Sequence, residues 1–276
     1  MSWLIPKIEE HDFEDLGFKI KIIDKSKGLK ESVKAVKIVI LDVCRKEKQF
    51  IRDIGDIEFI LVGSIIKIPL FQKVRKVRGW VYPGKIIVHL DLNNLTTNNP
   101  YQLYRLIYTT IVHEIFHLHQ YSIKKSLIRD QTVWKKLRKL RINSKNQSAT
   151  NIRVAIGVFF HDLLIEGLAK DIEFYAVNPG LHSEKQIEAM YIKSKSEANE
   201  INDSLSLILD QQTPKAIKTK LFKKLRDELK HYKYSIGEYM CVRTKTSERE
   251  ENTETLVRTN PLNFIKKYEA AEIKSG

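Results

Sequence analysis

Residues 98–121 read NNPYQLYRLIYTTIVHEIFHLHQY. Asn98 and Asn99 are both residue types that cap a helix N-terminus, and Pro100 suits the first helical position, where an N–H would have no partner. A helix is therefore expected from Pro100 to about Tyr121. Leu103, Leu106, Ile107, Ile111, Ile115 and Leu118 fall along one side of it, and Tyr101, Tyr104, Tyr108, Val112 and Phe116 along another. Little of such a helix can face water, so it is expected to be central and buried. Everything else in the chain is read relative to it.

On the N-terminal side, the apolar residues of Leu29 to Phe50 are spaced without strict alternation among Lys, Glu and Arg, which predicts a helix packed on a sheet. Ile57 to Val62 is a short β-branched and apolar run. Arg78 to Leu90 reads as a strand, a Pro83-Gly84 turn and a second strand. The first ninety or so residues are thus of mixed α and β character.

On the C-terminal side, a basic segment leads into Asn143 to Thr150, whose polar composition predicts an exposed loop. A strongly apolar helix is expected from Asn151 to about Val177, stopped by Asn178-Pro179-Gly180. Helical periodicity then returns at Ser183 to Leu209, Pro214 to His231, Ser235 to Val242 and Pro261 to Ile273. There is no internal repeat and no low-complexity tract. The boundaries follow: residues 1-122 as an α/β lobe, 123-150 as basic segment and loop, 151-276 as a helical lobe.

Composition narrows the class. Hydrophobic residues at 42% and charged residues at 30% predict a folded, soluble chain. Glu9, Glu10 and Asp12 follow the first apolar residues too soon for a secretory leader, and no apolar run is long enough to span a membrane. Cys44 and Cys241 are far apart and match no metal-ligand pair, so both are expected in the core of a cytoplasmic chain. The net charge of +14 has a local origin. Lys124, Lys125, Arg129, Lys135, Lys136, Arg138, Lys139, Arg141 and Lys145 stand against Asp130 alone, a local balance of +8. Val133, Trp134, Leu137 and Leu140 could make a narrow apolar stripe there, with the cations as its solvated face. The alternative is an anion-binding segment, spanning residues 124-145, for acidic substrates or nucleic acid.

The chemistry is concentrated in His113-Glu114-Ile115-Phe116-His117. Residues four apart share a helix face, so His113 and His117 can aim one imidazole nitrogen each at a single ion, with Glu114 bordering it. Zinc held in this way lowers the pKa of a bound water to about 7, and a neighbouring carboxylate can take the proton during attack on a carbonyl. A catalytic zinc ordinarily has three protein ligands, so a third must come from elsewhere. Gln120 and Ile123 occupy the positions where a metzincin has Gly and His, which excludes that class. His119 lies about 200 degrees round the helix from His117 and reads as a packed histidine. Glu166, in Ile165-Glu166-Gly167-Leu168-Ala169, lies on the next apolar helix, where an unpartnered carboxylate would be costly. Gly167 makes sense there if two helices approach closely. His161 is the alternative ligand, and Asp162 or Glu173 could orient a ligand histidine.

At these residues the chain resembles the gluzincin peptidases, including the thermolysin-like and peptidase-MA-like groups, in which a Glu from a downstream helix is the third ligand, often in a Glu-Gly-x-Ala setting. The resemblance runs roughly from Lys85 to Glu173. A longer gap between His117 and Glu166, filled by the basic segment, separates it from the thermolysin-like pattern. It implies zinc on His113, His117 and Glu166, and Glu114 as general base. It also implies an α+β, zincin-like fold: a small mixed sheet and active-site helix, then a mainly helical C-terminal lobe. Lys85 to Leu92 takes the place of the sheet-edge strand that pairs with an extended peptide substrate. An oxyanion-stabilising Tyr or His is expected from the C-terminal half, with Tyr234 and His231 as the candidates. The expectation is a zinc metallopeptidase acting on peptides or proteins. Its rivals are a basic nucleic-acid-binding protein and an inactive zincin-fold interaction module.

Overall fold

A computed structural model describes residues 7–14, 16–26, 29–63, 78–82, 84–125, 149–177, 184–210, 212–247 and 253–273. The basic segment beyond Lys125, the polar loop before Ala149 and Asn178-Pro179-Gly180 lie outside the described residues. The chain forms two compact units: Met1–Ile128 with Ile172–Val177, and Arg129–Asp171 with Asn178–Gly276.

The first unit is built on a mixed sheet of five strands: β1 (Lys7–Phe13), β2 (Phe18–Lys25), β3 (Ile57–Val62), β4 (Gly79–Val81) and β5 (Ile87–Asp91), in the order β1-β2-β3-β5-β4. β2, β3 and β5 run parallel, and β1 and β4 pair antiparallel at the two ends. Alternate residues Phe18, Ile20 and Ile22, then Ile57, Phe59 and Leu61, then Val88 and Leu90, form one buried core with the helices. Those helices are α1 (Lys30–Lys46), α2 (Lys48–Ile54) and α3 (Pro100–Ile123). The helix expected over Leu29 to Phe50 is two helices, because Glu47 leaves helical geometry at φ −99°, ψ 29°. Glu47 turns its carboxylate to the Tyr108 hydroxyl, which donates to it at 2.9 Å. β1 carries Glu9, Glu10 and Asp12, charges of the kind that keep an edge strand from pairing with another chain.

The sheet corrects one expectation. The Lys85 to Leu92 strand is β5, and it is interior, between β3 and β4. The turn explains this: Gly84 takes φ +82°, Lys85 N–H donates to the Tyr82 carbonyl at 3.1 Å, and β4 folds back along the outer side of β5. Among the described residues, the strand at that end of the sheet is β4.

Helix α3 begins where the capping residues place it. The Asn99 side-chain oxygen accepts from the backbone N–H groups of Tyr101 and Gln102 at 2.9 and 3.1 Å, with Pro100 following. From Ile107 to Tyr121 most residues are buried, and Ile107, Ile111, Ile115 and Leu118 enter the sheet's core.

The second unit is helical: α4 (Ala149–Val177), α5 (Glu184–Leu209), α6 (Lys215–Ser247), α7 (Thr253–Arg258) and α8 (Pro261–Ile273). Helix α4 carries its last residues, Ile172–Val177, in the first unit. Two separate helices were expected over 214–242, yet α6 is continuous. Tyr232-Lys233-Tyr234 holds no helix breaker, and Gly237 serves a packing role instead. At Gly167 and Gly237, α4 and α6 meet backbone to backbone, so that a methyl group on Gly167 would overlap the Gly237 carbonyl. Lys245 of α6 pairs with the buried Asp171 of α4. Cys44 and Cys241 are both fully buried and free. Among the described residues no helix is long and apolar enough to cross a membrane.

Two stability measurements check this arrangement. Asn99→Ala should cost about 1 kcal/mol in denaturant unfolding through loss of the cap. Gly167→Val should cost about 3 kcal/mol or abolish folding, because neither backbone can yield to the side chain.

Candidate metal centre

His113 and His117 lie one turn apart on α3, their rings nearly perpendicular with centroids 4.7 Å apart. Their Nε2 atoms face each other at 3.1 Å. The other nitrogen of each ring is directed to an acceptor. His117 Nδ1 is 2.8 Å from Gln120 Oε1, and His113 Nδ1 is 3.4 Å from Glu173 Oε2. The Gln120 amide oxygen can accept from His117 Nδ1, which would leave Nε2 of that ring as acceptor or metal ligand, while the Glu173 carboxylate is an ion-pair neighbour of His113. The two Nε2 atoms share one small space, which either a proton or a metal ion can bridge. Two nitrogens on a tetrahedral zinc at about 2.0–2.1 Å would be separated by about 3.3 Å, close to the spacing found here.

Glu166, the expected third ligand, lies on α4 in the second unit. Glu166 and Glu173 are seven residues apart on α4, about two turns, so they occupy nearly the same face. The face that brings Glu173 to His113 therefore also carries Glu166. His161, the alternative ligand, is 2% exposed and belongs to no group of metal-ligand spacing among the described residues. Its Nδ1 lies 4.0 Å from Asp162, so of the acidic residues considered for orienting a ligand, Glu173 is the one at a histidine of the pair.

His119 is packed, as its angle on the helix predicts: 3% exposed, against the rings of Phe50 and Phe116, with Nδ1 3.4 Å from Asp53. Glu114 is 7% exposed and lies against Gly79 of β4 and Thr110. Tyr234 and His231 fall within α6, and their side chains lie outside the described residues. Burial pushes the Cys44 thiol up to about 12 and that of Cys241 well up, so both are neutral core groups rather than ligands.

Gln120 was not recognised as part of the site from sequence. Its signal was its position three residues after His117, on the same helix face. Comparison with protein-family models, with curated proteins and with solved structures finds no match to the chain.

If Gln120 and Glu173 hold the two imidazoles in this orientation, Gln120→Ala and Glu173→Ala should each weaken zinc binding about 10- to 100-fold. Competition titration against a chromophoric chelator measures the change.

Proposed function

We propose that the protein is a zinc-dependent peptide hydrolase of gluzincin type, with a zincin-like fold, in which His113, His117 and Glu166 hold the metal and Glu114 is the general base. The observation that carries this reading is the facing pair of Nε2 atoms on α3, 3.1 Å apart, with Glu173 at the far nitrogen of His113. The donor set of two imidazoles and one carboxylate suits zinc and leaves one position open. Zinc held there supplies a Lewis acid that polarises a carbonyl and acidifies water.

The rest of the reaction belongs to this chain's own residues. Glu114 follows His113 directly on α3 and is the base of this reading. It takes the proton of the attacking water and delivers it to the departing amine nitrogen. Glu173 and Gln120 orient the two imidazoles. Strand β4 binds an extended peptide by adding it to the end of the sheet. Backbone pairing of that kind holds a substrate without demanding a particular sequence. Tyr234 or His231 of α6 donates to the developing oxyanion. Two buried thiols accord with action in the cytoplasm, and residues 124-145 would favour anionic stretches of a protein substrate.

Glu114→Gln should retain zinc and lose peptide hydrolysis by about 10²- to 10⁴-fold, whereas His113→Ala should lose the metal itself. Zinc analysis beside turnover of an unstructured protein such as casein makes the comparison. Full activity in Glu114→Gln would overturn the role assigned to it.

A further inference from the structure

Strand β4 meets α3 at Gly79, and the contact falls on Glu114. A methyl group at Gly79 would lie 2.9 Å from Glu114 Cγ, 3.2 Å from Glu114 Oε1 and 3.0 Å from Thr110 Cγ2. Carbon atoms that are not bonded do not approach so closely, so one of the neighbours would have to move. Gly79 is not required here by its backbone angles, because only Gly17, Gly55 and Gly84 among the described glycines have positive φ. What the position demands is the absence of a side chain.

The register adds a second constraint. Asp91 N–H donates to the Arg78 carbonyl at 2.8 Å, and Gly79 pairs with Leu90. In an antiparallel ladder the hydrogen-bonded and non-bonded pairs alternate, so the N–H and C=O of Gly79 point away from β5, toward the outer side of β4. The same residue thus offers its backbone groups to the sheet's end and its empty Cβ position to the Glu114 carboxylate. Of the three β4 residues, Gly79 is the one whose vacant Cβ position meets Glu114.

We propose that Gly79 is a positioning residue for Glu114: its missing side chain lets the carboxylate lie against the strand that receives the peptide, within reach of the water and the scissile amide together. This deepens the peptidase reading and rests on it. A side chain at residue 79 would displace the base while leaving His113, His117 and Glu166 in place.

The test uses the zinc-loaded full chain and acetohydroxamate, a small chelator whose hydroxyl proton is taken up by a carboxylate beside the metal. Its affinity reports the position of Glu114 without any turnover. Gly79→Ala should retain one zinc per chain and the wild-type melting profile, yet bind acetohydroxamate about tenfold or more weakly. Glu114→Gln should show a similar loss, and the double variant should be no weaker than Glu114→Gln alone, because Gly79 acts only through that side chain. Wild-type affinity in Gly79→Ala, or losses that simply add in the double variant, would overturn the role of Gly79 while leaving the metal site intact. Loss of zinc from Gly79→Ala would overturn it too, by showing that the strand supports the ligands rather than the base. A wild-type chain that binds no zinc removes the peptidase reading itself, which is a distinguishable result.

Discussion

Two imidazole nitrogens with no room to turn away from each other set the terms for this molecule. Gln120 and Glu173 hold the far side of each ring, and the helical spacing of His113 and His117 brings the near sides to 3.1 Å. Ring nitrogens this close share either a proton or a cation. Burying such a group without compensation is among the more expensive things a fold can do. A divalent ion held between the rings would supply that compensation and stabilise the fold.

The surrounding structure is arranged to keep this group rigid. Helix α3 is capped at Asn99, and its apolar faces enter the same core as three parallel strands. Its inner turns therefore cannot rotate to relieve the histidines. Ile172 and Ala176 at the end of α4 pack against that same core, on either side of Glu173 in sequence. Side chains that might complicate the chemistry are held apart. His119 is enclosed by aromatic rings on the other side of α3, and both thiols are raised by burial into a neutral state.

Much of this could be read from the residues, and the reasons are local. Asn99-Pro100 is a strong helix start, and an uninterrupted apolar run follows it, so α3 and its buried character were legible. The i, i+4 pair of histidines follows from helix geometry, as does the exclusion of His119. Gly167 flagged a close helix approach, and α4 meets α6 there. Other features depend on tertiary partners. Strands β1 and β2 mix apolar residues with Lys, Glu and Asp that also suit loops, and only the pairing of β1 with β2 and of β2 with β3 identifies them. The place of β5 in the sheet depends on the turn at Gly84 folding β4 onto its outer side, which periodicity does not encode. Glu47, where the two helices divide, accepts a hydrogen bond from Tyr108, 61 residues away, a partner that local sequence does not reveal. Gln120 and Gly79 carry no motif: one matters for the atom its amide faces, the other for an atom it lacks.

The central claim is most directly tested by X-ray absorption at the zinc edge, on the full chain stripped of metal and reloaded with one equivalent. The account predicts one tightly held zinc per chain, with two imidazole nitrogens and carboxylate oxygen at about 2.0–2.2 Å, and one imidazole fewer in His117→Ala. A chain that holds no zinc at micromolar free metal, or a zinc shell without histidine nitrogen, would contradict it and leave the two rings sharing a proton.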